Sequence, residues 1–217
     1  MNRKQKNFSF KIRRAGTGNP REDQIREAGR IIKNGGVIVF PTTCLYGLGA
    51  DALNPDGIDR IFDIKKRPHG KPLLVLIHHK NELEKLVKSV PPSAVSITDK
   101  FWPGRVTLVF EAKDTLPANL TGGTGKIGVR LCGHPVASAL VGAAGCPVTG
   151  TSANLSGSPG CSEISELDHE IADMSDLILD AGPLRGGIGS TIVDITPDFP
   201  KVLREGIVPA KDIFAVF

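Results

Sequence analysis

Two stretches of the chain concentrate groups that can do chemistry. The first is Lys65-Lys66-Arg67-Pro68-His69-Gly70-Lys71, four cations in seven residues, set between an apolar helical stripe and an apolar strand. Cations at a helix C-terminus gain about 0.3–1 kcal/mol from the helix dipole, which accounts for Lys65 and Lys66. It does not account for Arg67 and Lys71 on either side of the Pro68 turn. Several cations in a turn between buried elements can hold a polyphosphate, Arg gripping two oxygens and Lys acting as a point charge. The second stretch is Thr149-Gly150-Thr151-Ser152-Ala153-Asn154-Leu155-Ser156-Gly157, which follows an apolar strand. Short hydroxyl and amide side chains there either cap a helix through Asx and Ser/Thr turns or offer donors to phosphate. Residue type alone leaves both readings open.

Other motifs fail on spacing. Gly123-Thr124-Gly125-Lys126 suggests a P-loop, but Leu120 stands where the first glycine belongs and Ile127 where Ser or Thr belongs. Gly47-Leu48-Gly49-Ala50-Asp51-Ala52 matches G-x-G-x-x-A, but Asn54-Pro55 delays the helix that should open there. No G-x-S-x-G elbow is present. Cys44, Cys132, Cys146 and Cys161 form no C-x-x-C pair, and the five histidines form no H-E-x-x-H. The thiols read as reduced, small buried hydrophobes. Asp51, Asp180 and Asp194 read as turn or capping acids rather than metal ligands.

The elements that must position these groups are irregular. The chain has 217 residues, 40% apolar and 23% charged, enough for a sizeable core and unlike a disordered or coiled-coil chain. Glycine (25) and proline (16) point to many tight turns rather than a helical bundle. No run of about 18 apolar residues occurs, so no membrane span is expected. The net charge of +4 resides in the first twenty residues, which carry six cations and no acid, leaving 21 cations against 23 acids in the rest. A basic slab for RNA is therefore not indicated. With one Trp and one Tyr, platforms for stacking bases are scarce. The N-terminal segment is read as a solvated basic tail and a candidate weak tRNA or RNA arm.

Asn19-Pro20 reads as a helix start for Arg21–Asn34, with Ile25, Ala28, Ile31 and Ile32 on one face. Asn54-Pro55-Asp56 starts a second helix with Ile58, Ile61 and Phe62 buried, ending at Pro68. Further helices are predicted over Asn81–Lys88, Ser93–Phe101, Val136–Val141 and Ile164–Met174. Strands are predicted over Val37–Phe40, Leu73–Ile77, Arg105–Glu111, Ile127–Leu131, Pro147–Thr149, Leu177–Leu179, Thr191–Ile195 and Val202–Arg204. This mixture predicts an α/β (mixed α+β) fold with one mixed sheet and helices on its faces. Residues 1–18 are expected to form a flexible basic segment and 19–217 a single catalytic domain.

Phe40-Pro41-Thr42-Thr43-Cys44-Leu45-Tyr46-Gly47-Leu48-Gly49-Ala50-Asp51 resembles the opening motif of the YrdC-like threonylcarbamoyl-AMP synthase family. So do Ile64-Lys65-Lys66-Arg67-Pro68 with Lys71-Pro72-Leu73, Trp102-Pro103-Gly104 with Thr107, and Val129-Arg130 with His134-Pro135. The stretch Thr151–Gly157, Ser190-Thr191 with Val193-Asp194, and Leu203-Arg204 with Gly206 continue the resemblance. The blocks follow the family's order across residues 37–206. The chain departs from the family where Pro-Thr-Asp/Glu-Thr becomes Pro41-Thr42-Thr43-Cys44, where Arg105 follows Trp-Pro-Gly, and where Cys132 precedes the His-Pro step.

The resemblance implies an open, twisted sheet with a concave basic groove. It also implies a cytoplasmic nucleotidyltransferase that joins L-threonine, bicarbonate or CO2, and ATP into L-threonylcarbamoyl-AMP with release of pyrophosphate. The product serves tRNA t6A modification through later transfer proteins, and Mg2+ accompanies ATP. The ATP phosphates would be clamped by Lys65, Arg67 and Lys71, of which Lys65 and Arg67 are the catalytic candidates. Thr151, Ser152 and Asn154, with Thr107 and Arg204, would also face the nucleotide. Thr42, Arg130 and Ser190 would hold the threonine, Arg130 as a fork on its carboxylate. The rival reading is a double-stranded RNA or tRNA-binding module without catalysis. The chain ends soon after the last motif, which suggests the short, single-domain form of the family.

Overall fold

Local sequence chemistry sets the helix boundaries in the computed structural model, which describes residues 9–16 and 18–217. In order, the elements are β1 (Ile12–Arg14), α1 (Glu22–Lys33), β2 (Ile38–Pro41), β3 (Tyr46–Gly49), α2 (Pro55–Lys65), β4 (Leu74–Ile77), α3 (Leu83–Leu86) and α4 (Pro92–Phe101). There follow β5 (Val106–Glu111), α5 (Ala118–Thr121), β6 (Lys126–Leu131), α6 (Pro135–Ala144), β7 (Val148–Thr149) and β8 (Thr151–Ser152). The last are α7 (His169–Met174), β9 (Leu177–Asp180), β10 (Thr191–Asp194), β11 (Lys201–Arg204) and α8 (Ala210–Phe214).

Helix α2 begins as the sequence predicts. The Asn54 side chain accepts from the amides of Asp56 (3.0 Å) and Gly57 (3.3 Å), and Pro55 occupies the first helical position. It stops three residues before Pro68, because Lys66 turns left-handed (φ 49°) and the Arg67 amide donates to the Phe62 carbonyl. Helix α1 starts one residue later than predicted, and Asn19 is not its cap: extended Arg21 precedes the first turn with no side-chain cap. The predicted Asn81–Lys88 and Ile164–Met174 helices each divide into a 3-10 turn and a short α-helix.

The strands form two mixed sheets, where the sequence predicted one. The five-stranded sheet runs β1-β9-β2-β3-β8 and the six-stranded sheet β11-β10-β5-β6-β4-β7. The chain crosses between them at Gly150. Just before the crossing, Thr149 donates its amide to the Ala50 carbonyl (2.9 Å) and Asp51 bridges Val148. A Cβ on Gly150 would stand 2.7 Å from Leu76 Cγ, so this crossing requires glycine. Strands β3 and β8 were missed because their Tyr46-Gly47-Leu48-Gly49 and Thr151-Ser152 sequences carry turn residues; cross-strand pairing makes them strands.

Part of the basic N-terminal segment joins a sheet. Residues 1–8 lie outside the described residues. Ile12–Arg14, however, pair in parallel with Ile178–Asp180 as an edge strand. Arg13 binds Glu27 through two bonds of 2.9 Å, and Lys11 donates to the carbonyls of Asp173 (2.6 Å) and Ser175 (2.8 Å). These cations serve the fold.

Apolar side chains fill both sides of the sheets. Ile58, Ile61 and Phe62 of α2 pack with Val75, Leu108 and Ile127, while Ile25 and Ile32 of α1 pack with Phe40, Leu76 and Leu140. Among the described residues no helix is long and apolar enough to cross a membrane.

Candidate active-site cleft

Alternation along four strands of the six-stranded sheet puts one set of side chains into a cleft of about 580 Å³. Leu74 of β4, Lys126, Gly128 and Arg130 of β6, Thr107 and Val109 of β5, and Ile192 and Asp194 of β10 all line it. Leu74 pairs with Gly128, Gly128 with Val109, and Val109 with Asp194, a continuous row across the floor. The β2–β3 connection, the β7–β8 crossing and β11 supply the walls. Five cations line the cleft (Arg67, Arg105, Lys126, Arg130 and Arg204) against one acid, Asp194. The basic groove implied by the resemblance is therefore present.

Ser190 gathers one end of the cleft. Its hydroxyl lies 2.8 Å from Thr107 Oγ1 and accepts from Arg130 at 3.0 Å, while its carbonyl accepts from Arg204 at 2.9 Å. Four predicted residues distant in sequence thus meet. Burial, with the Arg204 charge acting in the same sense, lowers the pKa of Arg130, which remains a charged fork. Thr42 stands nearby in a tight turn, its amide and hydroxyl both donating to the Leu45 carbonyl.

Arg67 lines the cleft at the other end, donating to the Pro72 carbonyl at 3.0 Å. Its Nε is buried with no hydrogen-bond partner among the described residues, and burial lowers its pKa. Thr151 and Ser152 also face the cleft. Lys65, Lys71 and Asn154 are not among its lining residues.

Lys65 is 2% exposed, and its ammonium donates to the carbonyls of Ser152 (2.5 Å) and Asn154 (2.6 Å) and more weakly to Asn154 Oδ1 (3.4 Å). All three N–H donors are engaged, so Lys65 pins the loop behind Ser152 rather than reaching into the cleft. Asn154 is consumed by the same loop: Oδ1 accepts from Ser152 Oγ and Nδ2 donates to the carbonyls of Leu155 and Ser158. Lys71 is exposed.

Sequence reasoning set Lys126 aside with the failed P-loop. The available signal was alternation: residues 126, 128 and 130 share one strand face. Arg105, noted as a departure from the family pattern, also reaches the cleft. It follows Gly104, whose left-handed backbone (φ 86°) abuts Gly133; a Cβ on Gly104 would stand 2.9 Å from Gly133 Cα.

Asp51 and Asp180 cap turns, accepting from the amides of Leu53 (2.8 Å) and Gly182 (2.8 Å) respectively. Asp194 accepts from Thr196 and from Lys126. Among the described residues no group of three or more His, Cys, Asp or Glu side chains could hold a metal ion. The cysteines are unpaired. Burial pushes the thiols of Cys132 and Cys146 up to about 12 and that of Cys161 up to about 11, so they are poor nucleophiles near neutrality.

The Sua5/YciO/YrdC family model, described as "Telomere recombination", matches residues 30–206. The chain belongs to this family. It is 36% identical over 196 residues to a threonylcarbamoyl-AMP synthase of Bacillus subtilis, covering 90% of this chain and 57% of that protein. It is also 36% identical over 185 residues to a putative threonylcarbamoyl-AMP synthase of Mycobacterium tuberculosis H37Rv, covering 85% of each. The structure of Pyrococcus abyssi Sua5 complexed with L-threonine superposes with a TM-score of 0.88 at 35% identity, over 94% of this chain and 60% of that one. Escherichia coli YciO gives 0.85 at 30% identity, over 93% and 98%. The chain thus spans little more than half the length of the Bacillus subtilis and Pyrococcus abyssi relatives. The Sua5/YciO/YrdC framework accounts for the order of the motifs and for the mixed sheets that carry them.

Proposed function

We propose that this chain is a threonylcarbamoyl-AMP synthase, a nucleotidyltransferase that forms L-threonylcarbamoyl-AMP and pyrophosphate from L-threonine, bicarbonate or CO2, and ATP. The observation that carries the reading is the cleft itself, with five cations around its floor and Ser190 joining Thr107, Arg130 and Arg204 at one end. The names of the relatives support it, as does the threonine-bound Pyrococcus abyssi structure.

In this reaction the threonine amine takes up CO2, loses a proton and becomes a carbamate. A carbamate oxygen attacks the α-phosphorus of ATP, and the bond to the β-phosphate oxygen breaks as pyrophosphate leaves. The nucleophile belongs to the substrate, so the protein's work is positioning and charge stabilisation. Arg130 holds the threonine carboxylate as a fork, oriented by Ser190, with Thr42 on the adjoining wall. Arg67, Thr151 and Ser152 face the phosphates, Arg67 through its guanidinium charge. Arg204 and Thr107 line the nucleotide path. Lys65 and Asn154 act from behind by fixing the loop that presents Ser152.

Mg2+ would supply charge neutralisation on the triphosphate. The described residues form no carboxylate cage, so the ion fits as a companion of ATP held by phosphate oxygens. A cytoplasmic setting and transfer proteins that pass the product to tRNA for t6A modification complete the proposal. An RNA-binding module is less well supported, because the cations gather inside a cleft rather than along an exposed face.

The test is pyrophosphate release from ATP by the purified protein, with and without L-threonine and bicarbonate. Release that requires both, with a new adenylate seen by mass spectrometry, is the expected result. Release indifferent to threonine, or none at all, would overturn the assignment.

A further inference from the structure

Lys126 and Asp194 form the cleft's one internal ion pair among the described residues, Nζ to Oδ2 at 2.8 Å. The two partners are not held alike. The Asp194 side chain is 11% exposed and its Oδ1 also accepts from the Thr196 amide (3.0 Å) and hydroxyl (2.7 Å), so it stays in place without Lys126. The Lys126 side chain is 41% exposed, sits on a flexible stem, and has Asp194 as the partner of its Nζ. A half-exposed pair of this kind is weakly held, and the lysine is the partner free to leave.

Lys126 and Arg67 both line the cleft. Leu74 pairs in parallel with Gly128, so the segment that leads from Arg67 through Pro72 into β4 enters on the Lys126 side of Gly128. The Pro72 carbonyl accepts from Arg67, whose Nε still lacks an acceptor. Arg130 lies four residues further along β6, about 13 Å away at about 3.3 Å per residue. Between Lys126 and Arg130 only Gly128 faces the cleft, leaving its floor clear. One end of the cleft therefore carries two cations, the other the Ser190 cluster.

We propose that Lys126 is a polyphosphate ligand held in reserve by Asp194. In the free protein the pair is closed. When the terminal phosphates of a nucleotide arrive, the Lys126 ammonium turns from Asp194 to them and completes a two-cation site with Arg67. Asp194 remains anchored on Thr196. The exchange keeps the cleft from presenting its full charge until a polyanion enters, and it places a second cation where pyrophosphate departs. This rests on the nucleotide reading of the cleft proposed above.

Titration calorimetry with ATP, AMP and inorganic tripolyphosphate tests it by binding rather than by turnover. Lys126→Met is expected to weaken ATP and tripolyphosphate about tenfold and to leave AMP within twofold, with Lys126→Arg restoring most of the loss. Asp194→Asn keeps an acceptor for Thr196 but frees Lys126, so tripolyphosphate should bind more tightly. Equal binding of tripolyphosphate by wild type and Lys126→Met overturns the inference, as does weaker binding by a folded Asp194→Asn protein. Wild-type protein that binds neither ATP nor tripolyphosphate would overturn the nucleotide reading and this inference with it.

Discussion

The Lys65 ammonium donates to the Ser152 carbonyl at 2.5 Å across 87 residues of sequence. The two cationic and hydroxyl-rich stretches are therefore one structure: the end of α2 holds the loop after β8 from beneath. The link is tightened by the Ser156 amide, which donates to the Lys65 carbonyl at 2.8 Å. In this arrangement Lys65 acts on the loop that carries Ser152 rather than in the cleft itself.

Replacing Lys65 by Met leaves the Ser152 and Asn154 carbonyls short of a donor inside the protein, at a cost of about 1–3 kcal/mol. Urea unfolding should show that loss. The ratio kcat/KM for ATP should fall at least tenfold through a raised KM, with KM for threonine little changed. A variant that keeps wild-type KM for ATP would refute the positioning role.

Lys65 also sets a pH dependence. Burial, reinforced by the neighbouring Arg67 charge, pulls its pKa down to about 8 from the ordinary 10.5. Between those values the unfolded chain holds a proton the folded one has lost, so this group's contribution to stability rises with pH, by about 1.4 kcal/mol per unit within the window. Below about pH 8 both states are protonated and the contribution is flat. Unfolding free energies at pH 7.5 and 9.5 should diverge between wild type and Lys65→Met, wild type gaining at the higher pH. The buried thiols, whose raised pKa values favour the opposite trend, cancel in that comparison.

Ser190→Ala removes the hydroxyl that meets both Thr107 and Arg130 while leaving the carbonyl to Arg204. At about 0.5–1.5 kcal/mol per hydrogen bond, KM for threonine should rise roughly tenfold, with ATP affinity near wild type. Steady-state kinetics with each substrate varied in turn would show the split. An effect confined to ATP would move the threonine site away from Arg130.

Gly150→Ala sets a methyl 2.7 Å from Leu76 Cγ at the crossing between the sheets. The overpacking should destabilise the protein by about 1–3 kcal/mol. Because Gly150 also lines the cleft, catalysis should weaken as well. Thermal unfolding with wild-type stability would show that the crossing tolerates a side chain.

Most helices and central strands were legible from short-range chemistry. Asn54-Pro55 starts α2 because the cap and the first helical position are satisfied within four residues, and Ile58, Ile61 and Phe62 bury at helical spacing. Short apolar runs such as Leu74–Ile77 became central strands because little else can bury them. Strand β3 was not legible, because its glycines read as turn until Ile38–Pro41 and Thr151–Ser152 pair on either side. Nor was β1, a charged segment that becomes a strand only against β9.

Residue type singled out a cationic stretch with Arg67 and a hydroxyl-rich one with Ser152, and the family resemblance added Arg130 and Ser190. Residue type did not decide which cations reach the cleft. Lys65 and Lys126 carry the same ammonium, yet one is spent on carbonyls behind a loop and the other stands at the floor, because burial and strand register are set by contacts far apart in sequence. The two-sheet division was decided the same way, by the close approach at Gly150 and the pairing of Asp51 with Val148. Local sequence specifies an element and its donors; only the packed chain specifies which acceptors those donors meet.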